Sequence, residues 1–257
     1  MRQSRTQMTR IVILTTSLFM ACNTVKFGGN NEKRQANPPT LPPASVTAPQ
    51  LPPLARPAPC SRDYEVPATA NPYLAGAASG TSMTYTLTNG DPQSPTDRAP
   101  EQAPVLVTPT DPSCFKPGAI LAFTVAGSIT HNQSREQSSA DGNTAVIVSH
   151  QLGAVNGISD IKAPIDSLVG VFLGASDPRG SAAPSKLDFS TVASRDYLTI
   201  EPKLGQLFFI GKGKTATGTN RQVVVPLGAT RLYFGTMDTY QWNNNIGGLR
   251  GAIMTVR

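Results

Sequence analysis

Short runs of Val, Ile, Leu, Phe and Thr dominate the pattern of apolar positions after residue 104. Gly, Pro, Asn and Asp separate these runs, and none shows the 3.6-residue period of a helix. Eight such runs predict strands, at Val105–Val107, Ala119–Ala126, Thr144–Ser149, Leu168–Leu173, Gln206–Ile210, Arg221–Val225, Thr230–Phe234 and Leu249–Val256. The spacing predicts an all-β domain over 104–257, an antiparallel β-sandwich of the jelly-roll type.

The preceding segment, residues 60–103, has a weaker pattern. Thr81–Thr88 alternates between polar and apolar positions, and the turn signal Asn89-Gly90-Asp91-Pro92 follows it, which predicts one strand. The rest of the segment is mostly Pro, Ala, Ser and Thr. We therefore expect a loosely structured collar in front of the sandwich.

The N-terminus has the pattern of an export signal. Residues 1–10 contain three arginines and no acid, and the apolar run 11–21 is too short to span a membrane. Phe19-Met20-Ala21-Cys22 resembles the cleavage box of bacterial lipoproteins. The resemblance implies that 1–21 is removed, that Cys22 carries lipid, and that Asn23 directs the chain to the outer membrane, on its periplasmic or its cell-surface side. The alternative is an ordinary secreted protein with a chance cysteine.

The segment 22–59 is rich in proline, with nine prolines between Arg34 and Pro59. Such a composition favours extended polyproline II rather than a packed core. We expect a disordered tether that lifts the following domain off the lipid surface.

Cys60 and Cys114 remain once Cys22 is assigned to lipid. An even pair in an exported chain predicts a disulfide. Two free thiols or a metal pair are the alternatives, although no second Cys or His lies near either residue in the sequence.

The charge pattern argues against nucleic acid and nucleotide partners. The formal charge is +6, three of the arginines lie in the predicted signal, and no cluster of Lys and Arg is present. Gly211-Lys-Gly-Lys-Thr215 resembles the end of a phosphate-binding loop. The glycine required four residues earlier would fall in a predicted strand, and no helix follows. We predict a glycine turn with two solvated lysines, Lys212 and Lys214.

No motif predicts an enzyme. The sequence has neither Gly-x-Ser-x-Gly nor His-Glu-x-x-His, and its only histidines, His131 and His150, lie apart. A hydrolase would need a pair of carboxylates. Asp160 with Asp166, or Asp177 with Asp188, are available, but nothing in their spacing selects them.

The loop 238–245 is the most informative stretch, because one carboxylate (Asp238) and three asparagines (243–245) supply the oxygens that calcium takes in sets of six to eight. It resembles the last loop of the calcium-dependent bacterial galactophilic (PA-I type) lectins, on which Asp238 and Asn244-Asn245-Ile246-Gly247 fall. Phe115–Gly127 also resembles a strand of that family.

The resemblance implies a galactose-binding-like sandwich with calcium held by Asp238, Asn244, Asn245 and the backbone carbonyl of His131. The family's sugar-recognition run His-Pro-x-Gln is missing, and 133–142 stands in its place. Galactose itself is therefore not implied.

Trp242, Tyr240 and Asn243 lie in the same loop and would contact a sugar ring and its hydroxyls. We therefore expect an envelope-anchored lipoprotein that presents a carbohydrate-binding module. Two alternatives stay open: Trp242 plugs the end of the core while the asparagines only turn the chain, and the sandwich is a protein-docking surface in an envelope assembly.

Overall fold

The structure is a computed structural model that describes residues 60–87, 95–131 and 136–256. The predicted signal, the lipidation site Cys22 and the tether lie outside the described residues. The strands are β1 Ser61–Pro67, β2 Ser82–Thr84, β3 Thr96–Arg98, β4 Val105–Leu106, β5 Ile120–Thr130, β6 Asn143–Val148, β7 Ile161–Ile165, β8 Leu168–Leu173, β9 Leu187–Asp188, β10 Thr199–Ile200, β11 Leu207–Phe209, β12 Gln222–Val224, β13 Arg231–Thr236 and β14 Ile246–Thr255.

Helices are few and short in the described part of the chain. One α-helix, α1, spans Val192–Arg195, and 3₁₀ turns lie at Pro72–Leu74, Pro112–Cys114, Pro178–Gly180 and Trp242–Asn244. The prediction of an all-β class is therefore confirmed.

Four sheets are formed by these strands. The largest has the order β1-β14-β5-β12-β10, the second β11-β8-β13-β4, and two small sheets contain β2-β3 and β6-β7-β9. The pairs are antiparallel except for β10 with β12 and β7 with β9, which are parallel over two residues each. The expectation of a purely antiparallel arrangement therefore fails at these two short pairs.

The two larger sheets share one hydrophobic core. All six residues of β8 are buried. From the five-stranded sheet, Tyr64 meets Phe234 of β13 edge to face at 4.9 Å, and Phe123 meets the same ring at 5.6 Å. Aromatic pairs of this geometry add to the stabilisation that comes from buried area.

The segment 60–103 differs from the expected loose collar. β1 pairs with β14 along all seven of its residues, and its Val66 is fully buried. Tyr73 and Leu74 lie in the same core as the later strands. Composition concealed this because only a few large apolar residues, spaced among small ones, fill the positions that face the core.

The predicted disulfide between Cys60 and Cys114 is confirmed, with the two Cα atoms 5.3 Å apart. The amide of Thr255 donates to the carbonyl of Cys60, and its hydroxyl donates to the carbonyl of Cys114 at 2.7 Å. The bridge joins the start of β1 to the Pro112–Cys114 turn, and the two hydrogen bonds join both of these to the end of β14.

Candidate functional site

The loop that follows β13 folds back into the protein. Asp238, Asn244 and Asn245 are all buried. The side-chain amide of Asn245 donates to Oδ2 of Asp238 at 2.9 Å, and the Thr239 amide donates to Oδ1 at 2.6 Å. The structure thus brings Asp238 and Asn245 together through a hydrogen bond, and their predicted role as calcium ligands stays a prediction.

His131 lies directly after β5 and meets a carboxylate that the sequence did not select for this site. Its Nδ1 is 3.0 Å from Oδ2 of Asp166, and the hydroxyl of Ser138 donates to the same oxygen at 2.9 Å. The Asp166 side chain is 2% exposed, whereas that of His131 is 32% exposed. The pair is therefore a nearly buried carboxylate reached by a half-exposed imidazole.

Asp166 occupies the turn between β7 and β8 with a φ of +67°. Its amide donates to the carbonyl of Met237 at 2.7 Å, and the Met237 amide donates to the carbonyl of Ser167 at 2.8 Å. These bonds hold the turn beside the start of the 238–245 loop. In the sequence, Asp166 stands out only as an aspartate in a short turn between two apolar segments. The fold is needed to show that it faces His131.

The charges of the three groups influence one another. Burial raises the pKa of Asp238 to about 7, the N–H donors of Asn245 and Thr239 and the His131 imidazole oppose the rise, and Asp166 adds to it. The hydrogen bond to Asp166 raises the pKa of His131 against the effect of burial. A partly buried cluster of two carboxylates and one imidazole results.

The cluster fits a calcium ion in the type of its groups but not in their arrangement. Asn245 presents its amide nitrogen to Asp238, and the His131 imidazole, not its carbonyl, meets Asp166. Among the described residues, no group of three or more His, Cys, Asp or Glu is placed to hold a metal ion. Calcium would have to replace existing hydrogen bonds here.

The calcium site stays a prediction, which Asp238 can test. Burial raises the pKa of Asp238 to about 7, above the 3.8 of an ordinary aspartate, so the folded protein loses stability as pH rises toward and through 7. At pH 8 we expect millimolar calcium to raise the Tm of the wild type by about 3–5 °C. Asp238→Asn should abolish that response and leave the Tm without calcium unchanged or slightly higher. Scanning fluorimetry measures these Tm values, with EDTA and magnesium as controls. A wild-type Tm that does not change with calcium would contradict the predicted calcium site.

Trp242 lies in the core, as the alternative interpretation held. Its side chain is fully buried and its indole N–H donates to the carbonyl of Thr236 at 2.8 Å. The ring therefore offers no face to a sugar, and its predicted ligand-binding role is wrong. Tyr240 and Asn243 are half-buried, and their contacts with a ligand stay a prediction.

Asp97 supports this loop from the segment that precedes β4, a role the sequence did not indicate. Its carboxylate accepts from the amides of Trp242 and Asn243, each at 3.1 Å. It also accepts from the side chains of Asn71 and Tyr85, at 3.0 and 3.1 Å. Asp97 itself is fully buried, so these four bonds fix the path of the 242–244 turn.

His150 is a second histidine with a shifted pKa. It is buried, stacks on Tyr73 at a centroid distance of 3.8 Å, and shares a hydrogen bond between Nδ1 and the carbonyl of Gly153. Burial lowers its pKa to about 4, against smaller opposing effects of the Gly153 carbonyl and of Asp160. The imidazole is therefore a neutral part of the core at pH 7.

We expect the His150→Phe variant to lose part of the acid sensitivity of the fold. Unfolded His150 gains its proton near pH 6.5 and folded His150 only near pH 4, so stability falls as pH drops through this window. The full effect is about 3 kcal/mol. Phe keeps the stacking on Tyr73 without titrating. Urea unfolding at pH 7 and at pH 4 measures the free energy of unfolding of both proteins. Between pH 7 and pH 4 the wild type should lose about 3 kcal/mol more stability than His150→Phe. An equal loss in the two proteins would refute the prediction.

A cavity of about 450 Å³ opens beside the His131–Asp166 pair. Its lining is mostly polar and includes His131, Glu136, Ser138, Asn143 and Asp166. The lining offers both hydrogen-bond donors and acceptors, which suits a ligand that carries several hydroxyl groups. Of the predicted site residues, His131 alone lines this cavity.

Comparisons with known proteins leave the site to be interpreted from its own geometry. No family model, no curated protein and no solved structure matches the chain. Within the described ranges, no helix has the length and apolar character that crossing a membrane requires.

Proposed function

We propose that the chain is an outer-membrane lipoprotein whose β-sandwich domain binds carbohydrate. The two larger sheets would form the two layers of a jelly-roll-like sandwich, and their shared core supports this.

The proposed lipid anchor rests on the resemblance of residues 19–22 to a lipoprotein box. Mass spectrometry of protein from its native membrane tests the anchor, and an unmodified N-terminus beginning elsewhere would refute it.

The carbohydrate proposal depends on one observation, the Asp166 carboxylate in the polar cavity. Because Asp166 is nearly buried, its role is to fix the orientation of His131 and Ser138, both of which line the cavity. An imidazole and a hydroxyl held in place by a buried carboxylate, beside the amide and hydroxyl groups of the lining, suit the hydroxyls of a sugar. This differs from the loop-centred site expected from the sequence, since the buried Trp242 contributes nothing to it.

The test is glycan-array binding by the full-length protein, followed by affinity measurement for the best ligand. Asp166→Asn is the informative variant, because Asn tolerates the left-handed backbone at this position while its amide nitrogen replaces one acceptor. We expect roughly a tenfold loss of affinity, because His131 loses the charge-assisted bond that orients it toward the cavity. Asp63→Asn, on the exposed side of β1, is the matched control and should bind as the wild type does. Absence of any glycan ligand, or equal binding by Asp166→Asn, would refute the proposal.

The alternative, a protein-docking surface, is favoured by one different observation. The side of β14 and β5 next to β1 carries a depression of about 660 Å³, whose lining includes Gly127, Gly247 and Gly248 with the charged Glu65 and Arg250. Backbone without side chains permits close approach by a partner. A photo-crosslinker placed at Arg250 tests this alternative in native membranes. Capture of one envelope protein, together with no binding on the glycan array, would support it.

A further inference from the structure

A second cavity, of about 230 Å³, lies against the glycine turn that follows β11. Four basic side chains line it, at Arg195, Lys212, Lys214 and Arg221, with two acidic ones at Asp141 and Asp196. The lining therefore has a surplus of two formal positive charges.

Arg221 is the buried component of this cluster, with a side chain that is only 6% exposed. One of its terminal nitrogens donates to the carbonyl of Ile210 at 2.9 Å, and the guanidinium stands 5.0 Å from the Phe209 ring centroid. Its Nε has no hydrogen-bond partner among the described residues. Buried guanidinium N–H groups are nearly always bonded, so this donor requires an acceptor.

The two acidic residues do not neutralise the cavity. Asp141 accepts the Lys212 amide at 2.9 Å and pairs with its ammonium group at 3.2 Å, while its distance to Arg221 is 3.9 Å. Asp196 accepts the amide of Ala216 at 2.6 Å. Burial lowers the pKa of Arg221, the charges of Asp141 and Asp196 oppose that lowering, and the charge of Arg195 adds to it. An anion in the cavity would stabilise the charged guanidinium in the same way as the two aspartates do.

We propose that this cavity binds the sulfate or phosphate ester of an acidic glycan. Guanidinium and ammonium groups together supply the donors that a tetrahedral oxyanion needs. Thr144 lines both this cavity and the polar cavity beside Asp166. One ligand can thus place its hydroxyls in the first cavity and its anionic group in the second. The glycan part of this inference rests on the proposed function, whereas the oxyanion part does not.

The turn differs from a nucleotide-binding loop although it contains Gly211-Lys-Gly-Lys-Thr215. β12 follows it rather than a helix, and the amides of Gly211, Gly213 and Thr215 are bonded to carbonyls of the protein. Recognition here therefore comes from side chains and does not require the backbone cradle of a nucleotide site.

The first experiment uses inorganic sulfate and inorganic phosphate with the full-length protein, titrated by calorimetry against sodium chloride at equal ionic strength. We expect saturable binding of at least one oxyanion and roughly tenfold weaker binding by the double variant Lys212→Ser, Lys214→Ser. These lysines are exposed and half-buried, respectively, so the variant should fold. Lys116→Ser, an exposed lysine outside the cavity, is the matched control. No binding beyond that of chloride, or equal loss in the control, would overturn the inference.

The second experiment compares neutral, sulfated and phosphorylated forms of the same oligosaccharide. A preference for the sulfated or the phosphorylated form, lost in the double lysine variant, supports the inference and identifies the ester. Binding of the neutral form alone, with no response to inorganic oxyanions, overturns the oxyanion cavity and leaves the carbohydrate module standing. Binding of inorganic oxyanions without any glycan binding overturns the proposed function and the glycan part of the inference, but leaves the oxyanion cavity.

Discussion

Replacing Asp97 by alanine should destabilise the protein by about 4 kcal/mol, because four donors lose one buried acceptor. The amides of Trp242 and Asn243 cannot turn to another partner without moving the 242–244 turn. Trp242 packs near Tyr73 and His150, at centroid distances of 6.0 and 5.7 Å, so the disturbance should extend into the core. Urea unfolding followed by tryptophan fluorescence measures it, since the chain contains a single tryptophan.

Asp63→Ala is the control for this prediction. Asp63 lies on the exposed side of β1, so its replacement should change the free energy of unfolding by no more than about 0.5 kcal/mol. Asp97→Asn should be intermediate, because an amide oxygen still accepts while its NH₂ group faces donors. An Asp97→Ala variant as stable as Asp63→Ala would show that the turn holds its path without the carboxylate.

Removing the Cys60–Cys114 bridge in the double variant Cys60→Ala, Cys114→Ala should also cost about 4 kcal/mol. The bridge spans a sequence separation of 54 residues, and in the chain-entropy model a loop of this size restricts the unfolded chain by that amount. The native contacts around it remain, since Thr255 bonds to backbone carbonyls rather than to sulfur. Chemical unfolding at fixed pH gives the difference directly.

The reductant provides the matched control for the bridge. Dithiothreitol should lower the stability of the wild type to near that of the double variant and should leave the double variant unchanged. Thiol labelling of the unfolded wild type without reductant should find neither Cys60 nor Cys114 free. Equal stability of wild type and variant under oxidising conditions would contradict the prediction.

The pattern of apolar and polar residues predicted two kinds of strand: those with one buried and one exposed face, and those whose residues are all apolar. Leu168–Leu173 has the bounds that its apolar run indicates, and 231–236 and 246–255 agree with the predicted strands to within a few residues. Strand β1 was missed because Ser61–Pro67 carries only two large inward-facing residues, Tyr64 and Val66, among charged ones. Its pairing partner, β14, is almost 200 residues away along the chain, and pairing at that separation leaves no mark on a short sequence window.

The candidate site shows the same division between local and distant information. The 238–245 loop was identified from its asparagines and Asp238, and the structure does join Asp238 to Asn245. The partner of His131 could not be identified, because Asp166 lies 35 positions away and nothing in its spacing distinguishes it from the other aspartates. The aromatic residue expected to meet a sugar, Trp242, proved to be a core residue because burial depends on what packs over the loop.

The sequence by itself determined the β class of the domain, the approximate positions of its main strands, and the pairing of Cys60 with Cys114. These follow from short-range periodicity and from the even number of remaining cysteines, both of which are properties of the chain before it folds. Only the tertiary structure decided that Tyr64, Val66 and Tyr73 join the core, that Asp166 meets His131, and that Arg195 and Arg221 line one cavity with Lys212 and Lys214. The reason is physical: burial, charge coupling and hydrogen-bond partners depend on distances in space, and residues brought together by sheet pairing carry no fixed separation along the chain.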